Sequence, residues 1–332
     1  MAGLDVAVVS LGSTTGLRTA DAQLATALEL AGARVALVTA RPAPEVRTYA
    51  LTDLVWALAA RRAAVAAIAT HQPRSLLYST VTAALLWPRP GAIRFDAPAA
   101  GNRPGRHGVW QRPLERRRLA QADLLVPASA GAMREASLPP ERGVVVPIPV
   151  EPSGPTGGPR DIAAITYAAN PTKKGLDRVL EAWSRVRREG EELFVAGSLD
   201  GAWRRRVERA RDVRLTGRLA PDDYRALLRR ARVFVTAPRR EDYGAAQLEA
   251  LVDGCLLVTT SAPGPYAALP MARELDPRLV EDDLARALRL ALDDPLPGYA
   301  GRASELLSAY RLSAFQETVA RELLPRLLSG TE

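Results

Sequence analysis

Lysine is almost missing from this chain of 332 residues: of 45 basic residues only Lys173 and Lys174 are lysine, so 43 are arginine. There is one cysteine, Cys255, and there are two histidines, His71 and His107. A disulfide framework needs paired thiols, and a conventional zinc site needs several thiol or imidazole ligands, so both are excluded. Cys255 follows Gly254 at the start of an apolar run, which reads as a core thiol and not a nucleophile. No stretch reaches about 18 uninterrupted apolar residues, so a membrane-crossing helix is not expected. The nearest candidate, 54–70, is split by Arg61 and Arg62. The first residues carry Asp5 and no basic leader, so they read as a core strand and not a secretory signal. A reducing, cytoplasmic setting is expected.

What is present suits a globular protein of two domains: 47% hydrophobic and 25% charged residues over a length comfortable for two cores. The formal net charge is +8 and unevenly placed. Residues 1–150 hold 17 Lys+Arg against 10 Asp+Glu, whereas the remainder holds 28 against 27. The excess is densest over 103–118, where Trp110 stands among six arginines. Arginine suits phosphate and tryptophan suits the water–lipid boundary, so this stretch is the expected place for a phospholipid-linked or otherwise anionic ligand, or for a peripheral membrane contact. The arginine-over-lysine skew, with abundant alanine and proline, fits a GC-rich coding sequence, and no nucleic-acid partner is expected.

Strand and helix patterns alternate along both halves. In the first, strands are expected at 6–10, 34–39, 75–79, 92–95, 123–126 and 144–146, with helices at 20–31, 52–70, 80–86, 114–121 and 130–136. Proline and glycine over 147–159, including Gly154, Gly157 and Gly158, mark a linker. Strands then follow at 162–167, 193–196, 213–215, 233–236 and 256–259, between helices at 176–188, 202–211 and 222–230, and a long amphipathic helix is expected over 303–328. The fold class is therefore α/β, with two doubly wound, Rossmann-like parallel-sheet domains at 1–150 and 151–307. Ligands of such sheets bind at the carboxyl ends of strands.

The most informative segment runs from Glu241 to Gly254. Glu241 and Glu249 stand eight positions apart, and Gly244 lies at the junction between a strand ending before Pro238 and a helix that begins near Ala245. Free amides and the helix dipole at such a junction attract anions. Glu249, five residues past Gly244, lies about 7 Å up the axis. Carboxylates do not bind phosphate, so they are expected to hold hydroxyl groups flanking it. A diphosphate with a sugar on each side fits.

This segment resembles the Glu-x7-Glu signature of the retaining family 4 glycosyltransferases, which have the GT-B fold of two such domains facing a cleft. The resemblance implies that Glu241 faces the donor sugar, that Glu249 holds the ribose, and that the amides around Gly244, Ala245 and Ala246 receive the diphosphate. The stretch 165–175, with Asn170, resembles the family's phosphate-clamping loop, and Lys174 matches its lysine. The family's arginine falls on Ala168 or Ala169, with Arg240 or Arg18 as candidate substitutes. The loop 11–18, with Gly12 and Gly16, resembles the first-domain glycine loop near donor phosphate and acceptor. It is neither a dinucleotide fingerprint nor a P-loop. Asp96 stands where many members place a histidine, with His107, Arg18 and Trp110 as further acceptor-side candidates, and residues beyond about 308 are implied to pack back on the first domain.

The expected activity is metal-independent, retaining transfer from a UDP- or GDP-linked sugar to a glycan or lipid-linked acceptor, with no cofactor, by an enzyme in the cytoplasm or peripheral at the inner face of the membrane. Two alternatives remain: a non-catalytic nucleotide-sugar-binding subunit, and a nicotinamide-dependent dehydrogenase. The dehydrogenase is disfavoured because no strand leads into Gly-x-Gly-x-x-Gly.

Overall fold

The computed structural model describes residues 3–329 except 43, 45, 47, 104, 156 and 157, and the side chains of Thr15 and His107 also lie outside the described set. The chain divides into two compact units, Met1–Pro149 with Leu312–Glu332, and Val150–Arg311. Each unit is built on one five-stranded, all-parallel sheet.

In the first unit the strands are β1 (Val6–Ser10), β2 (Val35–Thr39), β3 (Ser75–Tyr78), β4 (Ala92–Phe95) and β5 (Leu125–Pro127), in the order β2-β1-β3-β4-β5. In the second they are β6 (Ile162–Tyr167), β7 (Leu193–Ala196), β8 (Val213–Gly217), β9 (Ala231–Thr236) and β10 (Leu256–Thr259), in the order β10-β9-β6-β7-β8. Helices cover both faces of such sheets, which is why the central strands read as unbroken apolar runs and not as alternation. Val6, Val8, Leu76, Leu77, Ile165, Val195 and Val235 are all buried.

Strand order fixes where a ligand can sit. In the first sheet the order reverses between β1 and β3, and in the second between β9 and β6. At each reversal the two following loops diverge to opposite faces and leave a crevice at the strands' carboxyl ends. The loops after β6 and β9 are the ones that carry Lys174 and Glu241.

Three expectations need correction. The stretch at 144–146 is not a sheet strand; Val144 and Val146 only donate backbone hydrogen bonds to Leu125 and Pro127 along the edge of β5. The expected helix 303–328 is broken. A helix at Tyr299–Leu306 runs into a 3-10 turn, Arg311 is extended, and a new helix starts at Leu312 with a π turn over Val319–Leu323. The first helix begins at Thr15, capped by the Thr14 hydroxyl, so Gly16 lies in its first turn and not in the loop. Of the linker residues, Gly157 lies outside the described set.

The segment from Leu312 is part of the first unit's core. Phe315, Val319, Leu323 and Leu327 pack among Val6, Val8, Leu24, Leu28 and Leu77. Truncating a fully buried aromatic ring costs about 3–5 kcal/mol. Phe315→Ala is expected to lower the unfolding free energy of the first unit by that order, read as a lower urea midpoint, and to leave the second unit's transition in place. An unchanged first transition would show that this segment contributes no core.

Candidate active site in the second unit

The geometry begins with a glycine. Gly175 adopts a left-handed backbone, and a Cβ there would lie 1.8 Å from the Ala237 carbonyl oxygen. Only glycine lets the loop after β6 press so closely on the loop after β9. The two are then stitched together: Arg239 donates its backbone amide to the Lys173 carbonyl and its guanidinium to Asp177 and the Thr172 carbonyl.

This clasp brings Lys174 to Glu241, 2.5 Å apart from Nζ to Oε2. Glu241 is only 4% exposed, so its charge requires that partner. The Gln247 side-chain amide, from the first turn of the helix Ala245–Val252, donates to the same oxygen at 2.9 Å. The ammonium therefore stands against the start of that helix. Oε1 of Glu241 takes no hydrogen bond among the described residues and is not among the sealed, unpaired atoms. Lys173 pairs with Asp242, to which Arg240 also donates at 2.9 Å, so Arg240 is engaged in an ion triad beside the site.

Gly244 opens the helix in a left-handed conformation, and a Cβ on it would meet the Tyr266 ring at 3.1 Å. No side chain caps the helix, and among the described residues the amides of Ala245, Ala246 and Gln247 have no acceptor. Three amides and the dipole's positive end are thus left for an anion, next to a lysine. The loop after β10 backs this arrangement: the Glu241 amide donates to Pro263, and Tyr266 and Ala267 donate to the carbonyls of Glu241 and Tyr243.

Glu249 lies half-buried one turn further along. Burial pushes its carboxyl above the ordinary value, with Asp253 adding to the shift and Arg225 opposing it. Its carboxylate makes no hydrogen bond among the described residues. Tyr167 and Tyr224 pack nearby at a tilt of 54° with ring centres 5.5 Å apart, and the buried Tyr224 hydroxyl has no partner among the described residues.

Other predicted residues have different places. Asn170 uses its side chain to cap the short helix Pro171–Lys174. Ala168 is buried, and nothing cationic stands at Ala168 or Ala169. The remaining candidates belong to the first unit. The Gly12 amide donates to the Ser10 hydroxyl, and Arg18 folds back to donate to the Gly12 carbonyl at 2.8 Å. Asp96 is exposed and accepts from the Ala97 amide. Trp110 is not an open aromatic anchor: it packs against the first unit's core and donates to the Ala50 carbonyl. The side chain of His107 lies outside the described residues.

Sequence reasoning missed Gln247, Asp242 and the cluster beneath the Gly12 loop. There the fully buried Asp21 accepts from Ser10 and, at 3.4 Å, from Arg94. Burial raises the Asp21 carboxyl, and the Ser10 hydroxyl and Arg94 oppose the rise. An arginine within the apolar strand β4 was the available signal. Cys255 is buried, and burial pushes its thiol up to about 12. Among the described residues no group of three His, Cys, Asp or Glu side chains is placed to hold a metal ion.

Residues 160–294 match the sequence family described as Glycosyl transferases group 1. No curated protein matches the sequence. Among solved structures, the chain is similar to sucrose-phosphate synthase from Thermosynechococcus elongatus, at 16% identity with a TM-score of 0.78, over 98% of this chain and 99% of that one. It is similar to Anabaena HepE in complex with UDP and glucose, at 15% identity and a TM-score of 0.68, over 96% and 99%. WaaG, a glycosyltransferase involved in lipopolysaccharide biosynthesis, matches at 16% identity and a TM-score of 0.68, over 95% and 98%. The fold is therefore GT-B, and its second unit carries the match to a group 1 glycosyltransferase domain.

Breaking a buried pair from one side leaves an uncompensated charge and costs about 3–5 kcal/mol, whereas removing both partners often costs little. Lys174→Met is expected to destabilise the second unit by that order, and Lys174→Met with Glu241→Leu to recover most of the loss. Additive losses, with the double variant losing as much in urea unfolding as Lys174→Met and Glu241→Leu lose singly when summed, would show that the pair is not coupled.

Proposed function

We propose that this protein is a retaining glycosyltransferase of the family 4 type that takes its sugar from a nucleoside diphosphate donor without a metal. The observation that carries the reading is the uncapped first turn at Gly244 to Gln247, set against the ammonium of Lys174. A diphosphate meets backbone amides, a helix dipole and a cation there, which together neutralise charge on a departing nucleotide. Among similar structures, Anabaena HepE is in complex with UDP-glucose, a donor of this class.

In the proposed reaction an acceptor hydroxyl oxygen forms a bond to the anomeric carbon on the face from which the nucleotide leaves. The bond from that carbon to the diphosphate oxygen breaks, and the acceptor's proton passes to the departing phosphate. Lys174 stabilises the leaving group, Glu241 holds Lys174 and turns Oε1 toward the sugar, and Glu249 accepts from the ribose hydroxyls. The acceptor is a glycan or a lipid-linked sugar, and the enzyme acts in the cytoplasm.

Ala168 and Ala169, where the family's arginine would stand, favour a second reading, a subunit that binds nucleotide-sugars without turning them over. Purified protein offered UDP- and GDP-sugars separates the two. Release of nucleotide with transfer or hydrolysis supports the enzyme, and binding without consumption supports the subunit. Binding of neither donor class overturns both.

Glu249 gives a sharper prediction. Burial disfavours its ionised form, so the folded pKa lies above the unfolded one. The resulting penalty is absent below the unfolded value and grows as pH rises through the folded value. Glu249→Gln is therefore expected to raise the thermal midpoint of the unliganded protein at neutral pH. The same change is expected to weaken UDP binding tenfold or more, from about 1.5–3 kcal/mol for hydrogen bonds to a charged group. Calorimetry that finds unchanged UDP affinity in this variant contradicts the ribose assignment.

A further inference from the structure

The helix Tyr49–His71 is 23 residues long and apolar nearly all round; its charged residues and histidine are Asp53, Arg61, Arg62 and His71. A helix of that kind is normally buried all round. Here only one side is covered, with Ala57, Ala60, Ala64 and Ala67 packed into the first unit's core. On the other side Leu51, Leu58 and Val65 are 47%, 37% and 46% exposed. They stand seven residues apart, hence on one stripe about 21 Å long. Ala66 and Ala69 are exposed on the same side.

Beside this face lies β2, the edge of its sheet, with Leu37 40% exposed. A groove of about 500 Å³ separates strand and helix, lined by Val38, Thr39, Ala63 and Ala66 with Arg41 and Arg62 among its polar residues. Arg41 and Arg62 are exposed and make no ion pair among the described residues. The helix's one carboxylate, Asp53, is buried and bound by Arg103, and 32–42 holds none.

We propose that this face, the outer stripe of Tyr49–His71 with edge strand β2, docks on an anionic phospholipid bilayer. Charge decides the occupant. A second copy placed on the same face would bring arginine against arginine, with no exposed carboxylate among the described residues of β2 and the helix to answer it. A bilayer supplies both missing partners, acyl chains for the aliphatic stripe and phosphates for Arg41 and Arg62. A helix lying in the interface plane buries its apolar side without crossing, and no helix among the described residues is long and apolar enough to cross a membrane.

The arginine-rich stretch at 103–118 serves this purpose less well than its composition implies. Arg103 is bound to Asp53, Arg112 to the carbonyls of Arg103 and Gly105, and Arg118 to the Leu85 carbonyl, over the Trp87 ring. Their side chains hold the first unit together. Arg106, Arg116 and Arg117 remain exposed. The inference deepens the acceptor side of the proposed reaction, and it rests on that reading only for why an enzyme would dock, namely to reach a lipid-linked acceptor.

Cosedimentation of the whole protein with vesicles tests it, using phosphatidylcholine alone and phosphatidylcholine mixed with phosphatidylglycerol. Binding is expected to the mixed vesicles only and to weaken with salt. Leu58→Glu with Val65→Glu is expected to abolish it. Arg41→Glu with Arg62→Glu should weaken it at least tenfold, each basic group near an anionic surface contributing roughly fivefold. Arg116→Glu with Arg117→Glu should change it by less. UDP affinity, measured in parallel, reports on folding and on the donor site. Variants that keep UDP binding while losing vesicles support the docking face, and a protein that binds vesicles but no nucleotide separates this inference from the proposed reaction. No vesicle binding by the parent protein, binding indifferent to Leu58 and Val65, or a dimer in sedimentation velocity that Leu58→Glu dissociates would each overturn it.

Discussion

The arrangement in the second unit depends on the close approach of two loops, where the Ala237 carbonyl fills the space that a side chain at Gly175 would need. Adjacent parallel strands β6 and β9 deliver these loops to the same end of the sheet, at the point where strand order reverses. Without that contact the ammonium of Lys174 would have no reason to lie in the interior beside Glu241. With it, a buried carboxylate gains its counter-charge, and the counter-charge is held against the start of the helix Ala245–Val252. A second close approach supports the first from the other side: a Cβ at Gly264 would lie 2.2 Å from the Glu241 carbonyl.

The carboxylates of Glu241 and Glu249 then differ in their electrostatics. Glu241 is locked by a cation and an amide and can act only through the oxygen left over. Glu249 has no such partner among the described residues, and its carboxyl is raised by burial, which makes it the group whose charge a set of ligand hydroxyls would most relieve. In the first unit the same physics serves structure. Asp21, buried with Ser10 and Arg94, anchors the turn that presents Gly12.

Much of this was legible in the sequence because parallel strands covered on both faces read as short apolar runs. Ile162–Tyr167, Leu193–Ala196 and Leu256–Thr259 match their expected limits. The meeting of Lys174 and Glu241 was legible only through resemblance, since no pattern within either loop announces a partner 67 residues away. The break at Arg311 was hidden because one extended residue, φ −73° and ψ 154°, interrupts the helix without upsetting the apolar spacing on either side. The internal partners of the arginines of 103–118 were hidden for a related reason. Composition counts a guanidinium as surface charge, whereas Arg103, Arg112 and Arg118 spend theirs on internal carbonyls and Asp53. Exposure of the apolar stripe on Tyr49–His71 was invisible because its period is continuous with the buried side.

The central claim is that the free amides at the start of Ala245–Val252, with Lys174, receive a nucleotide's diphosphate. Amide hydrogen exchange, followed residue by residue with and without UDP, tests it most directly. The account predicts new protection at Ala245, Ala246 and Gln247 and in the loop from Asn170 to Gly175, with the helix interior little changed. Protection by UDP confined to other loops, with the first-turn amides exchanging as before, would contradict it.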